Sequence, residues 1–67
     1  MWADVTRVWV IQQRSTGLFL HLDLYPVRSL KQAGRAPTLE CAHETGRMNF
    51  ENDYELISFL ELTAETP

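Results

Sequence analysis

The stretch that most constrains this chain runs from Val5 to Tyr25. Val5, Val8, Trp9, Val10 and Ile11 gather β-branched and aromatic side chains, which suit a pleated, packed surface. Polar residues follow, Ser15-Thr16-Gly17 offers a turn, and a second run opens at Leu18. There Leu18, Leu20, Leu22 and Leu24 fall on one side, while Phe19, His21, Asp23 and Tyr25 fall on the other. A period of two is the spacing of a strand. The two runs read as a β-hairpin, Val5–Gln13 paired with Leu18–Tyr25. A turn with an even number of residues puts Trp9 and Ile11 on the leucine face; a three-residue loop bulged at Gly17 exchanges the faces. The even turn is expected, because it unites the larger apolar side chains.

The remaining segments read as a cover for that hairpin. Pro26, with no N–H for a ladder, stops the second strand. Val27 to Ala36 reads as a connector anchored inward by Leu30 and Ala33, with a short helical turn at Ser29–Ala33 and a bend at Gly34. Pro37-Thr38 has the chemistry of a helix start: proline suits the first turn, and threonine can cap if the helix begins one residue later. Leu39, Cys41, Ala42, Thr45 and Met48 then recur at helical spacing, predicting a helix from Thr38 to about Arg47 with Cys41 among its buried residues. Phe50–Asp53 reads as a loop and Tyr54–Leu62 as a last strand. The expected fold is α+β, ββαβ: a three-stranded antiparallel sheet of order 2-1-3 with the helix on the Trp9/Ile11 face. A right-handed crossover can make that connection over the first strand.

Sixty-seven residues make a single domain, 1–67, with 1–4 and 63–67 expected to be mobile. One cysteine forms no internal disulfide, and no Cys/His quartet has zinc spacing, which favours a reducing, cytoplasmic setting. No run is long enough to cross a bilayer, and Met1-Trp2-Ala3-Asp4 does not read as the start of a signal peptide, so none is expected. Charge is unevenly spread. Residues 1–39 sum to +3 and residues 40–67 to −6.

Catalytic constellations are not apparent, so the chain reads as a non-enzyme. Cys41 and His43 are two apart on a helix and do not face each other. His21 and Asp23 share a strand face without a third ligand, and Glu51, Asp53 and Glu55 lack the glycine and terminal glutamate of a calcium loop. No metal site and no cofactor are expected. Nucleic acid would have to be held by Arg28, Lys31 and Arg35 in the connector with the open sheet face as a stacking platform; the acidic balance, pI 5.1, opposes it. If the helix covers one face, the other shows Val8, Val10, Phe19 and Tyr25. Contiguous apolar surface of that kind marks an interface. The expected partner is another protein chain, foreign or a second copy in a homodimer.

The segment Val10-Ile11-Gln12-Gln13-Arg14-Ser15-Thr16-Gly17-Leu18-Phe19-Leu20, followed by Ala33-Gly34-Arg35 and a helix bearing glutamate and alanine, resembles small uncharacterised proteins of phages and prophages. Ala36 stands where those proteins often carry an aromatic residue. The resemblance implies a hairpin with a Thr-Gly turn, then a helix and a final strand. It also implies action by binding, as in phage inhibitors of host or defence complexes, anti-CRISPR proteins among them.

Overall fold

A computed structural model describes residues 5–62. The ends expected to be mobile, 1–4 and 63–67, lie outside the described residues. The elements in order are β1 (Val5–Gln13), β2 (Phe19–Leu20), β3 (Pro26–Val27), α1 (Leu39–Phe50) and β4 (Tyr54–Leu62), with a 3-10 turn at Leu30–Gln32 before α1. The fold is α+β, with one helix and an antiparallel sheet among the described residues. That sheet has four strands in the order β3-β2-β1-β4, not three.

The first and last strands form where the β-branched and aromatic runs predict them. They pair antiparallel without interruption from Val5↔Leu62 to Gln13↔Tyr54. The hairpin turn is even: Gln13 N–H donates to the Leu18 carbonyl (2.8 Å), which leaves Arg14 to Gly17 in the loop. Gly17 takes the left-handed φ of 76° that the loop requires. Phe19 therefore opposes Gln12. Leu20 falls on the Ile11 side, as the even turn demands.

The second strand departs from expectation. Its register with β1 is the single pair Gln12↔Phe19, because a competing segment takes the next stretch of the β1 edge. Ala36 donates its N–H to the Trp9 carbonyl (2.8 Å) and accepts the Trp9 N–H (3.0 Å). Gly34 N–H caps the Leu20 carbonyl at 2.9 Å. The chain instead turns at His21–Tyr25 and returns as β3. Pro26, read as a stop, opens that strand at a sheet edge, where its missing N–H is tolerated.

α1 begins as read: Thr38 Oγ1 accepts the Cys41 N–H at 3.1 Å, and Glu40 sits in the first turn. It continues past Arg47 to Phe50, and Glu51 closes it at φ 59° with its N–H on the Arg47 carbonyl. The inward face is Ala42, Gly46 and Phe50; of the expected stripe only Ala42 is buried and Thr45 half-buried. Cys41, Leu39 and Met48 are exposed. The reason is close packing. A Cβ at Gly46 would stand 2.7 Å from the Tyr54 ring, so the helix can settle onto β4 only with no side chain there. Ile11, Leu20, Ala42 and Tyr54 form the core on this face, with Trp9, Phe50 and Leu56 packed against it.

The opposite face is covered from within the chain. Val10 is 0% and Val8 6% exposed, so the open face expected at these residues does not exist. Register places Val8 against Phe59 and Thr6 against Glu61. Over these positions lies Arg35, its guanidinium 5.4 Å from the Phe59 ring centre and 2.9 Å from Glu61. The connector reaches Phe59 and Glu61 on this face through Arg35; Ala33 within it is buried, whereas Leu30, expected inward, is 40% exposed.

Candidate functional site

The departure of the chain at Leu20 opens a cleft. Ile11 and Leu20 lie at its base, Leu22 and Leu24 come from the His21–Tyr25 loop, and Pro37 and Cys41 come from the start of α1. Its volume is about 230 Å³ and its lining is mainly apolar. The loop is tightly built for its length. His21 N–H donates to the Tyr25 carbonyl and Leu24 N–H to the His21 carbonyl, both at 2.8 Å, and Leu24 adopts φ 70°. The His21 and Tyr25 rings stack at 4.3 Å, 12° from parallel. Gly34 braces the loop from below: a Cβ there would stand 2.8 Å from the Leu22 backbone nitrogen. Leu22 and Leu24 are thereby held outward, 73% and 56% exposed.

Of the four residues expected to bind a partner, Val8 and Val10 are core, Phe19 is half-buried opposite Val27, and Tyr25 is exposed at the loop. They do not form one surface. The three connector cations also separate. Arg28 and Lys31 are exposed, but Arg35 is committed to Glu61 and to the Leu30 and Ala33 carbonyls at 2.8 and 2.7 Å. The hydrogen bonds from Arg35 hold the Glu61 carboxyl below its ordinary pKa, against a smaller opposing effect of burial.

His21 and Asp23 do share the loop, with the imidazole Nδ1 accepting the Asp23 N–H at 3.0 Å and 3.9 Å from its carboxylate. Among the described residues no three His, Cys, Asp or Glu side chains gather as a ligand set. Asp53 serves the turn: its carboxylate accepts the Ser15 N–H at 3.0 Å and the Ser15 hydroxyl, which draws its pKa down. His43 turns to Tyr54, whose hydroxyl oxygen lies 2.7 Å from Nδ1 and 3.2 Å from the His43 carbonyl. Cys41 and His43 form no pair.

No family model, curated protein or solved structure matches this chain. Function must therefore be argued from the residues themselves. Among the described residues, no helix is long and apolar enough to cross a membrane.

Leu22 and Leu24 were legible only as core candidates, because alternation marks apolar residues without saying whether a partner strand will reach them. The roles of Arg35 and Gly34 carried no sequence signal beyond a cation and a glycine side by side. The cleft's chemistry is simple. It can receive an apolar side chain and hold it between two leucines and the first turns of a helix.

Proposed function

We propose that this chain is a non-enzymatic protein-binding module whose cleft takes an apolar side chain from another protein. The observation that carries the reading is the pair Leu22 and Leu24, fixed outward on a braced loop beside an apolar cleft. Exposed leucines at a rim give a partner apolar area to bury, and water-excluding pockets of this kind are where binding energy concentrates. The finer form of the reading is a phage-encoded inhibitor of a host or defence complex. It is supported by the resemblance of residues 10–20 and 33–35 to phage and prophage proteins.

An affinity pull-down with the full chain tests this, with Leu22→Glu as the matched bait and retained proteins and nucleic acid both identified. The expected outcome is a protein held by the wild-type chain and lost with Leu22→Glu, while far-UV circular dichroism and Tm stay unchanged. A protein partner indifferent to Leu22→Glu would overturn the cleft. Retained nucleic acid that is lost with Arg28→Ala or Lys31→Ala would replace the reading with one based on the exposed connector cations.

A further inference from the structure

The two edges of the sheet are treated differently. β3 is two residues long and opens with Pro26, which blunts that edge. β4 is the other edge, and it is nine residues long. It contains no lysine and no proline, and its register with β1 runs without a bulge. No other described strand pairs with its outer side. A long, apolar edge of this kind is a template for another strand.

The sequence of β4 indicates which strand. Glu55-Leu56-Ile57-Ser58-Phe59-Leu60-Glu61 reads with the same chemical character in both directions about Ser58. An antiparallel pairing of β4 with itself has a two-fold axis, and an axis at Ser58 sets like against like. We infer that the β4 edge is the interface of a homodimer, in which two sheets join across Ser58 into one continuous sheet. Leu56 then lies opposite Leu60 of the second copy, Ile57 opposite Phe59, and Tyr54 opposite Leu62.

This register covers what a single copy leaves bare. The face under α1 is covered at its Tyr54 end, whereas Leu60 and Leu62 at the far end are 58% and 71% exposed. The two-fold brings the bare end of each copy beside the helix-covered end of the other. Charge also closes. Glu55 meets Glu61 of the second copy, an unfavourable pair by itself. Each carboxylate arrives with its own guanidinium, Arg14 on Glu55 at 3.3 Å and Arg35 on Glu61 at 2.9 Å, so the cluster is balanced. The inference does not depend on the cleft, which lies on the β2 side of the sheet.

Sedimentation equilibrium of the full chain over a range of concentrations should show reversible association to twice the 7.8 kDa monomer. Leu60→Lys, at an exposed position, should raise the dissociation constant by about tenfold or more without changing the far-UV spectrum. Register is tested by cross-linking in a Cys41→Ser background. Opposed antiparallel residues have Cα atoms about 4.5–5.5 Å apart, within the roughly 4.4–6.8 Å that a disulfide spans. Ser58→Cys should therefore form a dimer-linking disulfide under mild oxidation, and Leu60→Cys should not. A chain that stays monomeric at every concentration overturns the inference. So does a dimer in which Leu60→Cys cross-links as readily as Ser58→Cys.

Discussion

Two stretches of this chain carry apolar residues in strand spacing and have opposite fates. β4 pairs over its whole length with β1, while the run beginning at Leu18 keeps only Phe19 in register with β1. Local character does not separate them: four leucines alternate in one, and tyrosine, two leucines and a serine precede another leucine in the other. What separates them is the edge each one meets. One side of β1 is free for β4 along all nine residues. The other side is shared between β2 and Ala36, so the second run is cut off where the connector arrives. Alternation shows what a segment can bury. Whether it does so depends on an unclaimed partner.

The largest test of this contrast sets Val10 against Leu22. Val10→Glu places a carboxylate where nothing is exposed, and should cost about 4 kcal/mol or more, leaving no cooperative melt at any concentration. Leu22→Glu, at the abandoned leucine position, should change Tm by no more than about 2–4 °C, since surface substitutions fall within roughly 0.5 kcal/mol. Thermal melts of the two variants side by side decide it. A folded Val10→Glu chain would mean that the connector does not cover that face.

A smaller effect is expected where the ladder meets its helix. Gly46→Ala improves helix propensity by about 1 kcal/mol, yet its methyl would press on the Tyr54 ring at 2.7 Å. Overpacking of that kind costs about 1–3 kcal/mol, so the variant should be less stable in urea despite the better helix former. An increase in stability would show that α1 can lift from β4 freely.

The smallest effect concerns the turn that joins the two contrasted stretches. The Ser15 hydroxyl, more than burial opposes it, lowers the pKa of Asp53 in the folded chain. A carboxyl with a depressed folded pKa stabilises above its unfolded value and loses that contribution as pH falls through the folded one. Stability should therefore decline below about pH 4, the ordinary carboxylate range. Asp53→Asn should flatten part of that decline, with the Glu61–Arg35 contact contributing the remainder in the same direction. Urea titrations across the acid range measure it, and identical slopes for variant and wild type would remove Asp53 from the account.

Much of the architecture was legible in the sequence because its causes are local. β-Branched and aromatic residues set β1 and β4, Thr38 starts the helix, Gly17 permits the turn, and Ser29 caps the 3-10 turn by accepting the Lys31 N–H at 3.1 Å. β1 lies between β2 and β4 as expected, but α1 follows β3, which runs antiparallel to β4, so the handedness of a parallel crossover is not what sets that order. The candidate site was not legible. Alternation points Leu22 and Leu24 at the core, yet they form its exposed rim, while Val8 and Val10, expected at a surface, are buried.

Those errors share one physical origin. The chain by itself determined which residues favour strands, where the helix begins and which glycine must turn, since each depends on neighbours a few positions away. Only the tertiary structure decided which edge of β1 the connector would claim, that Arg35 would fold over Phe59 onto Glu61, and that Gly46 would admit the Tyr54 ring. Each of these is a contact between residues far apart in sequence. Backbone hydrogen bonds and close packing are awarded there by competition for one partner, and composition and spacing hold no record of the winner.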